Sequence, residues 1–483
     1  MVHYTILAQT PQFNKLYNTD STRELSPCVL PTTDEGYIVG GISRYNSSSL
    51  VYVRKINKWG EQKWQTNIVS SDTAQVSTYF GGNLVKTLDN NYLISGSMEY
   101  TNQTQRDIFL CKFTQSGDTI WHKFYHAVDT LYATNAIVVA NDNGYLIIGT
   151  AWHQLNNAQS FLLLKTDSLG NLQWRKIYNS DFGRPFHAEQ TTDGGYIVSG
   201  YNYHAATGYD MYAIKTDSLG NVQWEHTYGT DEDDGGCLVL EVAAGQYALL
   251  GLISKVEEFQ PFWYTEIQLL FARLDSMGNI ITGTKRYFAN QSVYSCQSAY
   301  FDKQKNEIVA VTLSYTPNPT KPYLTKFSLS GDMLLNAPLS TGIGTEDYLR
   351  DVEPTPDGGF VLAGFNFTNP SRGWVVKTDS LGNTCGEADC DNYVEPIGID
   401  IVGSFQQSMQ VYPNPATNQL HITSTIPATF VLYDLLGRAV RQVGLDSGTA
   451  QISVLGLPAG TYFYQIINPQ KQILQHDKLI VLH

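Results

Sequence analysis

A ten-residue phrase, KTDSLGNVQW at 215–224, returns along most of the chain and leaves few folds open. It recurs as KTDSLGNLQW at 165–174, KTDSLGNT at 377–384 and RLDSMGNI at 273–280, with looser copies at 55–64, 112–121 and 326–335. Each copy separates two short stretches in which apolar and polar residues alternate, MYAIKTD before and VQWEHTY after in the clearest case. Period-two alternation predicts strands, and DSLGN predicts the turn between them. Its Gly supplies positive φ, and its Asp and Asn bond back to the local backbone. A second phrase precedes each copy: DEGYIVGG at 34–41, DNNYLISG at 89–96, DNGYLIIG at 142–149, DGGYIVSG at 193–200, GQYALLG at 245–251 and DGGFVLAG at 357–364. KNEIVAVT at 305–312 is a degraded instance. The aromatic anchors give the period: Tyr37 to Tyr92 is 55 residues, Tyr92 to Tyr145 is 53, and the next two intervals are 51 each. Seven repeats of about fifty residues, made of strands and hairpins alone, predict a seven-bladed β-propeller over 10–390.

The fourth repeat serves as template, with strands around Phe186–Thr192, Tyr196–Asn202, Met211–Asp217 and Val222–Tyr228. Such a sheet is apolar on both faces and must stack on its neighbours. Trp64, Trp121, Trp174 and Trp224 occupy one position of the fourth strand, where packing against the next blade stabilises by roughly 2–3 kcal/mol each. The seventh repeat breaks off at Thr384 before its fourth strand, while FNKLYNTD at 13–20 matches WRKIYNSD at 174–181 with no strands before it. Phe13–Tyr17 is therefore expected to complete the last blade and close the ring, removing exposed edges.

Propeller geometry puts the repetitive turns on one face and the variable connections on the other. A ligand is expected at the variable face and channel mouth. Its candidate residues are Trp152, His153, Tyr201, Tyr203, His204, Trp263, Tyr264 and Phe367, aromatics and histidines suited to a glycan or protein ligand. The chain carries a formal net charge of −14 with its basic residues scattered, which excludes nucleic acid and anionic membrane surfaces as partners. No stretch is long enough to span a bilayer, and a monomer is expected. Six cysteines do not make a disulfide scaffold; Cys28, Cys111, Cys237 and Cys296 read as buried thiols, and CGEADC at 385–390 could hold a local bridge in an oxidising compartment. Residues 1–9 read as the remnant of a secretory signal peptide, with an ordinary first strand as the alternative.

No catalytic constellation is recognisable, so the reading favours a binding or scaffold module over an enzyme. The alternative is a glycoside hydrolase or lyase with its site at the channel mouth. Thr216–Gly220 with Trp224 is similar to the Asp-box of sialidases, but the spacing differs. A sialidase also needs three arginines and a Tyr–Glu pair converging on the channel, whereas the arginines here are few and scattered. There is no HExxH, GxSxG or phosphate-cradling glycine loop. No cofactor or metal is expected. The acidic loop with Asp231, Asp233 and Asp234 is at most a loose calcium candidate, since DxDxDG is absent.

After Cys390 the composition shifts: 391–408 reads as a linker, and 409–483 as a small β-sandwich. Val411-Tyr412-Pro413-Asn414-Pro415, Leu420-His421-Ile422, Asp434-Leu435-Leu436-Gly437-Arg438, Gly460-Thr461-Tyr462 and Lys478-Leu479-Ile480 follow in that order. This unit resembles the type A C-terminal sorting domain of the type IX secretion system, a Bacteroidetes family. The resemblance implies an Ig-like sandwich, recognition by the type IX translocon and sortase machinery, and delivery to the outer cell surface or medium. The repeats resemble those of secreted Bacteroidetes propellers that carry the same tail.

Overall fold

The computed structural model describes residues 11–385 and 410–482, apart from short segments between strands. The expected signal remnant (1–9) and linker (391–408) lie outside the described residues. The chain divides into two compact units, 1–392 and 393–483.

The first unit is all β. Among the described residues it holds seven antiparallel sheets, one per repeat, with the strands of each mostly in chain order. The fourth runs Arg184–Gln190, Tyr196–His204, Gly208–Thr216 and Val222–Tyr228, within two or three residues of the sequence-based boundaries. The first strands form a ring: Arg23–Pro31, Leu84–Lys86, Thr130–Val139, Arg184–Gln190, Cys237–Ala243, Val293–Asp302 and Asp347–Pro354 each neighbour the next, and the last returns to the first. A separate apolar core fills each sheet-to-sheet interface. Phe161 and Leu163 meet Tyr196 and Tyr212 between the third and fourth sheets, for example.

The repeated phrases owe their fidelity to two contacts. The Lys of KTD is buried and reaches the Asp of the preceding turn: Lys112–Asp89 and Lys165–Asp142 at 2.7 Å, Lys215–Asp193 and Lys377–Asp357 at 2.8 Å, and Lys55–Asp34 at 2.5 Å. The Gly of the hairpin then receives the aromatic pair of the preceding sheet. A Cβ on Gly220 would lie 2.9 Å from the Trp174 ring, while Tyr178 donates to the Gly220 carbonyl at 2.7 Å. Trp121 and Tyr125 meet Gly170 in the same way, and Trp224 and Tyr228 meet Gly278. A side chain is excluded there both by the positive φ (75° at Gly220) and by the ring lying against it.

The N-terminal strand enters this scheme as expected. Phe13–Tyr17 pairs antiparallel with Arg372–Thr378, with Phe13 opposite Lys377 as Trp174 is opposite Lys165. Phe13 packs on Gly60 and Tyr17 donates to its carbonyl at 2.5 Å. The Arg54 guanidinium, paired with buried Glu24 at 3.1 Å, lies 4.8 Å from the Tyr17 ring. Phe13 and Tyr17 thus share a core with Val361 and Val375 on one side and Val29 and Val39 on the other.

The second unit has a sheet of Gln410–Tyr412, Gln419–Ser424 and Gly448–Ser453, and a second of Ala439–Leu445, Ala428–Tyr433, Gly460–Ile467 and Ile473–Val481. They share a core that includes Leu420, Ile422 and Ile452 from one and Phe430, Tyr464 and Leu479 from the other.

Candidate functional site

The inner strands are interrupted by β-bulges, and these re-aim side chains that a regular ladder would turn elsewhere. Phe186, Gln297 and Arg350 are the unpaired residues at such breaks in the fourth, sixth and seventh inner strands. All three line one cavity of about 720 Å³, together with Arg23 and Arg184 from the starts of the first and fourth inner strands. Tyr201, Tyr209, Tyr348, Phe365 and Phe367 complete an aromatic lining, and Asp233 and Asp234 reach it from the loop before the fifth sheet.

Three arginines therefore converge on a space where the sequence reading saw only scattered ones. Arg350 donates to Gln297 Oε1 and lies 5.6 Å from the Tyr348 ring and 5.7 Å from that of Phe365. Arg23 sits 5.5 Å from the Phe367 ring, and Phe365 and Phe367 are 5.3 Å apart, so these two arginines flank one aromatic cluster. Arg184 is hydrogen-bonded to Tyr201, whose ring meets Phe186 at 5.4 Å. Burial pulls the Arg184 guanidinium below its ordinary value, the Tyr201 phenol opposes that shift, and nearby Arg106 adds to it. The Tyr201 phenol is raised by burial, with the Arg184 cation working against that rise.

The two acids are engaged by the backbone. Asp234 is buried and accepts from the amides of Thr230 at 2.5 Å and Ser254 at 2.6 Å; burial raises its carboxyl above the usual range. Asp233 accepts from the Tyr209 amide at 3.0 Å, and Asp231 is exposed. Among the described residues no group of three His, Cys, Asp or Glu gathers to hold a metal.

The candidates named from sequence divide. Tyr201 and Phe367 line the cavity. Tyr203 stands beside it, its ring 5.2 Å from Tyr209. His204 is exposed near Thr227, and Trp152 carries the Arg106 guanidinium at 5.8 Å with half-buried His153 next to it. None of these last three lines the cavity. Trp263 and Tyr264 lie on the strand Phe262–Leu274 opposite Glu258 and Glu257, and their side chains are outside the described residues. Arg23, Arg184, Arg350, Gln297 and Tyr348 were missed. A signal for one of them existed: the bulge residue precedes the turn acid by seven positions in Asn135–Asp142, Phe186–Asp193 and Arg350–Asp357.

In the second unit, Tyr412 is exposed and stacks on His421 at 5.4 Å, and Pro413 and Pro415 are exposed beside it. Arg438 pairs with Asp434 at 2.7 Å across the hairpin, and buried Tyr462 donates to the Pro458 carbonyl at 2.8 Å. Gly460 opens the strand that carries Tyr462, and Lys478 pairs with Phe463. Asn414 and Gly437 lie outside the described residues. Residues 410–482 match the model of the secretion system C-terminal sorting domain. The chain ends in a type IX sorting domain. That domain directs export to the cell surface or medium and implies an encounter with the type IX machinery. Cys385, in the stretch before the sorting domain, is disulfide-bonded, and Cys390 lies outside the described residues; Cys28, Cys111, Cys237 and Cys296 are not in disulfides. Among the described residues no helix is long and apolar enough to cross a membrane.

No curated protein sequence matches the chain. Among solved structures, it is similar to a puromycin hydrolase (11% identity, TM-score 0.40, 73% of this chain and 51% of that one). It is also similar to an α-L-arabinofuranosidase from Fusarium graminearum bound to an iminosugar inhibitor (9%, 0.42, 76% and 97%). A third is the β-propeller domain of the Trilobed protease from Pyrococcus furiosus (7%, 0.37, 84% and 93%). The chain spans about half the length of the puromycin hydrolase. The expectation that the chain is no enzyme is corrected by this set, which consists of peptidases and hydrolases. At such identities the likeness is one of fold and names no reaction.

Proposed function

We propose that the chain is an exported, seven-bladed propeller that acts on an extracellular carbohydrate at the mouth of its channel, as a glycoside hydrolase or lyase. The single observation behind this reading is the cavity, where three arginines, hydrogen-bonding tyrosines and two acids share an aromatic lining of the kind that sugar rings stack on. The sequence-derived domains are carried forward in the same reading: a propeller over 10–390, a linker over 391–408 and an Ig-like sorting domain over 409–483 that the translocon reads and a sortase removes. The exposed Tyr412 and Pro413 are the surface of that tail offered for recognition. Tyr201 is the residue assigned to proton transfer, as a phenol that burial keeps protonated and that can donate its proton from the cavity wall.

The test is a panel of polysaccharides and chromogenic glycosides incubated with the full chain, scored for new reducing ends and for the ultraviolet absorbance of an unsaturated product. Turnover that falls at least about 100-fold in Tyr201→Phe, with folding intact, supports the reading. A purified, folded chain that binds and turns over no carbohydrate would overturn it.

A further inference from the structure

We infer that the channel mouth selects an acidic saccharide, with Arg23, Arg184 and Arg350 receiving the carboxylate of a uronic or similar sugar acid. This deepens the carbohydrate reading above and rests on it. The first support is placement. The chain is acidic overall, with 31 Lys and Arg against 45 Asp and Glu, yet three of its twelve arginines, each about 160 residues from the next in sequence, line a single cavity. The second is chemistry. Among the described residues no lysine lines that cavity, and a guanidinium offers the planar, forked donor set that matches a carboxylate bidentately where an ammonium cannot. The third is orientation. Arg23 and Arg350 are held against the faces of Phe367, Phe365 and Tyr348, contacts that help fix the position of each cation. Gln297 accepts from Arg350 and Tyr201 bonds to Arg184, so each of these two forks is held in place by a polar side chain. The acids that share the cavity bind backbone amides, Asp233 that of Tyr209 and Asp234 those of Thr230 and Ser254. A sugar lying on the aromatic patch would thus present an anionic substituent to three pre-aimed cations.

Calorimetric titration of the full chain tests this with polygalacturonate, alginate and hyaluronan oligosaccharides, against neutral dextran and xylan oligomers and against dextran sulfate. At least one carboxylated series is expected to bind 10-fold or more tightly than every neutral one and than dextran sulfate. Arg350→Gln and Arg23→Gln are each expected to cut that affinity at least 10-fold. Arg23 is exposed at a strand start, so its variant remains informative should Arg350→Gln fold poorly. Neutral oligomers binding as well as acidic ones, with affinity indifferent to both substitutions, would overturn the acidic assignment and leave the carbohydrate reading standing. Preference for dextran sulfate would overturn the commitment to a carboxylate. Binding of none of them would overturn both readings.

Discussion

The two faces of the propeller are built from the same strands by opposite rules. On the turn face, Lys, Asp, Gly and Trp recur at fixed spacing because each must meet the same partner in the next copy: Lys215 its Asp193, Trp174 its Gly220. At the channel mouth nothing repeats, and Arg23, Phe186, Gln297 and Arg350 come from different blades. Repetition marks the residues that hold sheets together, and its failure marks those free to take on chemistry. The fifth and sixth repeats sharpen the contrast. There the turn acid is lost, Arg273 donates to Gln246 instead, and Lys326 turns to the Ser380 carbonyl of the next blade. The cation outlasts its acid, so its burial against the neighbouring sheet matters as well as its charge.

The largest break in this comparison is expected from removing the closing strand. Deleting residues 10–20 exposes the edge at Arg372–Thr378 and uncovers the core shared by Phe13 and Tyr17, a loss of about 3–6 kcal/mol from two aromatic side chains alone. Urea unfolding should show it, and an unchanged midpoint would refute the closure. Next, Gly220→Ala forces a Cβ into the Trp174 ring at positive φ and should cost about 1–3 kcal/mol without altering ligand binding. Lys215→Met replaces the buried end of a pair whose Asp193 is half exposed, so a smaller cost of about 1–2 kcal/mol is expected, again on stability only.

The smallest effect is in pH. At the turns, burial would raise Asp193 and Asp34, but the lysine and hydroxyl contacts outweigh it, leaving Asp193 low and Asp34 at about 2. Carboxyls held low contribute stability that is present above about pH 4 and lost as pH falls through their folded values. On the inner strands the sign reverses. Burial pushes Glu189 up to about 7, opposed by the Glu241 amide, and Asp351 up to about 6. Their contribution is present at about pH 4 and lost as pH rises toward 7. Glu189→Gln should therefore flatten the decline between about pH 4.5 and 7 and leave the acid limb unchanged. A variant with the parent's slope in that window would remove Glu189 from the account.

How far the sequence could be read follows from the same division. The period, the strands and the closing pair Phe13 and Tyr17 were legible because packing one sheet on the next imposes the same residues each time. The composition of the cavity was not legible in the same way. Tyr201 and Phe367 were found as aromatics in variable connections, while Arg23, Arg184 and Arg350 looked scattered because a ring brings together residues far apart in the chain. The bulges that turn Phe186, Gln297 and Arg350 inward leave no mark in a period-two pattern. Aromatic character also pointed to Trp152, which packs with Arg106 and does not itself line the cavity.

The division of labour is tested most directly by measuring Arg350→Gln and Lys215→Met side by side, for unfolding midpoint and for binding of an acidic oligosaccharide. The account predicts crossed results: Arg350→Gln loses binding and keeps its midpoint, while Lys215→Met lowers the midpoint and keeps binding. Both variants losing both properties together, or Arg350→Gln binding as the parent does, would contradict it.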